Sequence, residues 1–161
     1  MLRRICATTV LSLVLPSMAF SACLPAALCT KVTGLADVAL GTWGGSGDLT
    51  SNYTMCAYVQ NDNESNYTVT GSGTGAGSAY IISSGAKDIP VTVEYEESGA
   101  GGWVGLTPTA ITTFANPNTA DEDCAVGGNS AKVRVTIPSA NMDYATAGTY
   151  TGTVTLVTSP D

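Results

Sequence analysis

The stretch AGTYTGTVTLVTSPD, Ala147 to Asp161, decides how this chain is read. Tyr150, Gly152, Val154 and Leu156 fall on one face of an extended chain, and Thr151, Thr153, Thr155 and Val157 on the other. That period of two is a β-strand's, and threonine, valine and tyrosine suit a pleated, half-buried surface. Most β-sandwich chains bring another strand back to pair with such an element, because bare ladder groups recruit other chains. No further strand follows it in this sequence, so its open side needs another cover.

Working back from it, strand patterns recur at short spacing and no helical period competes. KVTGLADVAL (Lys31 to Leu40) places Val38 and Leu40 on one face, NYTMCAYV (Asn52 to Val59) is rich in β-formers, and NYTVTGSG (Asn66 to Gly73) follows the polar turn QNDNES. AYIISS is a short apolar strand. IPVTVEYEE alternates Val91, Val93 and Tyr95 with Thr92, Glu94 and Glu96, and AKVRVTIPS alternates Val133, Val135 and Ile137 with Arg134 and Thr136. About seven short strands joined by Gly-, Ser- and Asn-rich turns predict an all-β, antiparallel sandwich.

The 161 residues predict one domain behind a leader. MLRRICATTVLSLVLPSMAFSAC has two arginines, an apolar run from Ile5 to Leu15 and then small residues, the layout of a secretory signal. Cleavage after Ser21 divides the chain into a signal peptide, 1–21, and a mature domain, 22–161; a cut after Ala19 fits too. Two of the six basic residues, Arg3 and Arg4, leave with the leader, so four face 13 acidic ones and the net charge is about −9. Nucleic acid and anionic lipid are poor partners for that balance, since phosphate binding needs clustered Lys and Arg.

Cys6 also leaves with the leader. The remaining four, Cys23, Cys29, Cys56 and Cys124, are an even count for an oxidising compartment, and they allow three disulfide pairings. Metal binding is disfavoured by the absence of histidine and of a C-x-x-C pair. Cys23 closes the stretch FSAC, a loose lipobox, which makes it a candidate lipid anchor as well.

The chemical motifs are thin. GSGTGA (Gly71 to Ala76) matches G-x-G-x-x-A, but a strand pattern follows where phosphate binding needs a helix N-terminus. Asp121-Glu122-Asp123 lacks the spacing of a calcium loop. Glu94 and Glu96 share the outward face of a strand, where solvated carboxylates are expected. With no histidine base and no G-x-S-x-G elbow, no enzyme activity and no cofactor are expected. Sequons at Asn52, Asn63 and Asn66 imply exposure only in a host that glycosylates them.

One block, LCTKVTGLADVALGTWGGSGDLTSNYTMCAYVQNDNESNYTVTGSG, has a cysteine opening a strand, a V-x-L-G-T element and a second cysteine in the next strand; a polar turn and a Y-T-V strand complete it. It resembles the spore coat protein U domain family, the subunits of archaic chaperone–usher pili. The C-terminal block is similar to the last strand of that family and of the alpha-class fimbrial subunits. The resemblance implies an immunoglobulin-like sandwich lacking its seventh strand, and a disulfide joining Cys29 and Cys56, which leaves Cys23 and Cys124 for each other. It implies an acceptor groove walled by Val38, Leu40, Tyr150, Val154 and Leu156, with the Asp161 carboxylate where a chaperone anchors its client.

By the same resemblance the partners are a periplasmic chaperone, an outer-membrane usher and neighbouring pilus subunits. The route runs from periplasm to cell surface, with roles in adhesion or biofilm. Donor-strand exchange needs an N-terminal extension of about ten alternating residues. Cleavage after Ser21 leaves ACLPAAL, seven residues with Pro25 unable to donate, ahead of Cys29. Cleavage after Ala19 leaves FSACLPAAL, in which Phe20, Ala22, Leu24, Ala26 and Leu28 alternate. A chain that accepts a strand without giving one would be a terminal subunit or a stand-alone relative. The competing expectation is a secreted or lipid-anchored immunoglobulin-like binding module that does not polymerise.

Overall fold

The strand Ala131–Ile137 shows how alternation builds this fold. Ala131, Val133, Val135 and Ile137 are buried, while Lys132, Arg134 and Thr136 face outward. It pairs antiparallel on both sides, with Leu49–Gln60 and with Thr92–Glu97, so each inward residue meets cross-strand neighbours. The computed structural model describes residues 7–9, 28–60, 66–85, 87–97 and 102–161, the first three by backbone alone.

In chain order the strands are β1 (Ala7–Thr9), β2 (Cys29–Thr33), β3 (Gly41–Trp43), β4 (Leu49–Gln60), β5 (Asn66–Gly73), β6 (Ile81–Ser83), β7 (Asp88–Pro90), β8 (Thr92–Glu97), β9 (Val104–Gly105), β10 (Ile111–Ala115), β11 (Ala131–Ile137) and β12 (Val154–Pro160). One helical turn, α1 (Ser139–Met142), lies between β11 and β12. A five-stranded sheet, β2-β4-β11-β8-β9, faces a three-stranded sheet, β10-β5-β12; β6 pairs with β7 and β1 with β3. All strand pairs are antiparallel, and the fold is an all-β sandwich of immunoglobulin-like type.

Between the sheets, Tyr67 of β5 and Tyr95 of β8 share a hydroxyl–hydroxyl hydrogen bond of 2.9 Å, and the Phe114 ring lies 4.5 Å from that of Tyr95. Burial pushes the Tyr67 hydroxyl up to about 12 and that of Tyr95 upward as well. Tyr150 locks the corner ahead of β12. Its hydroxyl donates to the Thr146 carbonyl at 3.1 Å and accepts from the Thr146 N–H at 3.0 Å, the hydroxyl-to-upstream-backbone arrangement of a tyrosine corner.

The structure redraws several expected strands. The last is divided: Thr151 exchanges two hydrogen bonds with Ser83 (2.7 and 3.0 Å), and a ladder with β5 begins only at Val154. Gly152 permits the step, because a Cβ there would lie 2.3 Å from the Ile81 carbonyl oxygen. Val38 and Leu40 lie outside β2, which stops at Thr33 ahead of Gly34 with its φ of +78°. IPVTVEYEE divides at Val91 into β7 and β8, and no sequence pattern announces β1, which lies in the expected leader, or β3, β9, β10 and α1.

The cysteine pairing is also corrected. Cys56 bonds to Cys124, with Cα atoms 5.6 Å apart, so neither the Cys29–Cys56 nor the Cys23–Cys124 bridge forms. The ladder explains it: Cys29 stands opposite Gln60 and Cys56 opposite Thr33. Cys29 and Cys56 are therefore four residues apart along the strands, about 13 Å, against the 7 Å limit for a bridge. Cys29 is disulfide-bonded too, to a partner outside the described residues, where Cys23 and the turn QNDNES after Gln60, with Asn63, also lie.

Cys56 points outward, and the segment that reaches it is folded onto β4. Asn118 pairs with β4 through its backbone (Val59 N–H to Asn118 O, 3.0 Å), while its buried side chain donates to Val126 O at 2.7 Å and accepts from Ala120 N–H at 2.8 Å. Ser130 adds a bond to the Ala57 carbonyl at 2.7 Å. These bonds leave few buried polar groups of the clasp unmatched.

Candidate functional site

The site is built from main chain, so ladder parity decides it. The Gly71 carbonyl accepts the Thr109 N–H at 2.8 Å, on the β10 side of β5, and the Ala115 N–H turns away from β5 toward the Glu97 carboxylate. Alternate residues of an antiparallel strand turn both main-chain groups to the same side. Tyr67, Val69 and Gly71 therefore serve β10, and Thr68, Thr70 and Ser72 serve β12. Their partners Ser159, Val157 and Thr155 complete that ladder.

The main-chain groups of Val154, Leu156 and Thr158 consequently point to the opposite edge, where no strand pairs among the described residues. Pro160 sits at the same parity, a position where its missing N–H costs the β5 ladder nothing. Across this edge β2 comes within 8 Å of β12, Cα to Cα, yet it belongs to the other sheet and shares no ladder with β12. Strands that pair lie about 4.8 Å apart. No residue of β12 is charged, so the edge lacks the Lys or Glu that commonly blunts such a strand.

Val38, Leu40, Tyr150 and Val154 belong to one hydrophobic cluster, and Leu156 packs against it half-buried. The first four are buried, at 5, 7, 1 and 4 % exposure. Val157, on the outer face, is 58 % exposed. Asp161 follows Pro160 directly and is exposed.

The acidic residues singled out in the sequence are held in ion pairs or turns. Arg134 grips Glu94 through two bonds of 2.6 and 2.7 Å, holding its carboxyl below the usual carboxylate range, and stacks 4.4 Å over the Trp103 ring. Glu96 meets Lys132 at 3.1 Å. Lys31 binds Glu122 at 2.8 Å and Asp123 at 3.7 Å, whereas Asp121 accepts the Ala125 N–H at 2.8 Å. Among the described residues no group of His, Cys, Asp and Glu could hold a metal, and no helix is long and apolar enough to cross a membrane. After Gly73 the GSGTGA stretch runs into a single 3-10 turn, Ala76–Ser78.

Two contacts have no sequence signal: the Glu97 bond to β10 and the Asn118 clasp. Both join residues far apart in the chain through sheet packing.

No protein-family model matches the chain, and no curated protein matches it. A solved structure does share its fold: a chain from the chaperone–tip adhesin complex of CFA/I fimbriae biogenesis, at a TM-score of 0.55 and 14 % identity over 83 % of this chain. The match spans 41 % of that neighbour's length. The likeness is one of fold, to a fimbria-related chain, and does not extend to the spore coat protein U family in particular.

Proposed function

We propose that this chain is a structural subunit of a bacterial surface pilus or fimbria, assembled by addition of another chain's strand at the free edge of β12. The uncharged row at Val154, Leu156 and Thr158, unpaired among the described residues and beside a strand of the other sheet, carries the reading. Strand addition to such an edge gains main-chain hydrogen bonds, and alternate side chains supply specificity. In this reading a periplasmic chaperone lends a strand first. An outer-membrane usher then exchanges it for the N-terminal segment of the next subunit.

The donor's inward side chains would lie over Val38, Leu40, Tyr150, Val154 and Leu156, with Asp161 near the chaperone's anchor. Two further observations support it. The neighbouring fold comes from a chaperone–adhesin complex, and the Cys56–Cys124 bridge suits an oxidising, exported setting. Leader cleavage would also remove β1, which pairs Ala7 with Trp43 and Thr9 with Gly41, and would bare a second edge at β3.

The test is to purify the mature chain with and without its matching chaperone and to follow oligomer ladders in unboiled gels. Ladders that vanish in L156K while the fold is kept support the proposal. A folded monomer that forms no ladders even with its matching chaperone contradicts it. The second reading, a non-polymerising binding module, is favoured by a cleft of about 790 Å³ where Thr50, Thr92, Thr136 and Arg134 face outward. N-terminal mass spectrometry of the same sample separates plain cleavage from lipidation at Cys23.

A further inference from the structure

We propose that Glu97 closes the second edge of the three-stranded sheet and so confines strand addition to β12. The inference rests on the reading of β12 as the accepting edge. β10 is the other outer strand of that sheet and carries the same hazard. By the parity above, Ile111, Thr113 and Ala115 turn their main-chain groups off the sheet, and Ile111 is 73 % exposed. No strand pairs with that side among the described residues.

Here, unlike at β12, the opposite sheet intervenes. Glu97, the last residue of β8, places its carboxylate on the Ala115 N–H. This occupies a donor that an incoming strand would need. It also sets a charge where that strand's carbonyl would have to sit, and displacing the charged acceptor would cost its hydrogen bond. Trp103, Val104 and Phe114 line the cleft around it, about 440 Å³, which would otherwise offer apolar cover to an added chain. At β12, no described side chain from the other sheet bonds to the free edge.

The experiment compares the exported protein with E97A, E97Q and E97A/T113P, using light scattering over a concentration series and amide hydrogen exchange. The Thr113 N–H points off the sheet, so proline there removes an edge donor without breaking the β5 ladder. Protection at Leu156 and Thr158 reports the β12 edge separately, so failure of the accepting-edge reading leaves the β10 readout intact.

The expected result is concentration-dependent association of E97A, with the Ile111 and Thr113 amides gaining protection, and reversal in E97A/T113P. E97Q keeps an oxygen for the Ala115 N–H but loses the charge, and is expected to associate more weakly than E97A. It carries the test if E97A fails to fold. Folded E97A or E97Q whose mass and β10 exchange match the unsubstituted protein would overturn the proposal.

Discussion

Removing the Cys56–Cys124 bridge should cost much of this protein's stability. The bridge joins residues 68 apart in sequence. Loop-closure entropy for that span is about 4 kcal/mol at room temperature, on the usual chain-entropy account. Single domains of this size lose roughly 2–4 °C of melting temperature per kcal/mol, so C56A/C124A should melt about 8–16 °C lower. The Asn118 and Ser130 bonds to β4 remain in the variant, so the clasp should stay folded at low temperature. Circular dichroism melting of both proteins, without reductant, reads the difference, and non-reducing peptide mapping of the parent reads the pairing. A loss of under about 1 kcal/mol would refute the loop-closure reasoning. A peptide linking Cys29 to Cys56 would refute the register argument behind it.

Three other substitutions follow from the packing. Gly71→Ala should destabilise by about 1–3 kcal/mol in urea titration, because the new Cβ would meet the buried Tyr80 hydroxyl at 2.1 Å. Tyr80→Phe, which removes a buried hydroxyl without a hydrogen-bond partner, should be neutral alone and should rescue part of that loss. Tyr150→Phe should cost about 1–2 kcal/mol through its bonds to Thr146, measured the same way. Glu94 has its pKa lowered in the fold by the Arg134 hydrogen bond. Its contribution is therefore present above the unfolded carboxylate range and lost as pH falls through the folded value. An acid titration should show E94Q lacking that part of the parent's decline.

The parts of the fold that alternation specifies were legible in the sequence. β5 matches its expected span, Asn66–Gly73, and β8 and β11 keep the expected Val93/Tyr95 and Val133/Val135/Ile137 faces. β10 was not legible because only Phe114 of its five residues is buried while Ile111 is exposed, which leaves no period to detect. Val38 and Leu40 were expected on the first strand, but Gly34 ends it and they reach the core from the segment after it. The disulfide was illegible for a related reason. Pairing depends on which residue of β2 stands opposite Cys56 and on a clasp folded over β4's outer face, and neither leaves a local pattern. The edge of β12 was half legible: the sequence raised the expectation of a strand without a second neighbour, whereas the identity of its outward main-chain groups required the ladder.

Assembly by this route requires that the outward side of β12 take a strand from another chain. Residue-resolved amide exchange of the mature subunit, before and after assembly, asks this directly. In the isolated subunit the Thr155, Val157 and Ser159 amides, which face β5, should be slow, and those of Leu156 and Thr158 fast. On assembly Leu156 and Thr158 should become protected together. Oligomers in which these two amides exchange as they do in the isolated subunit would contradict the account.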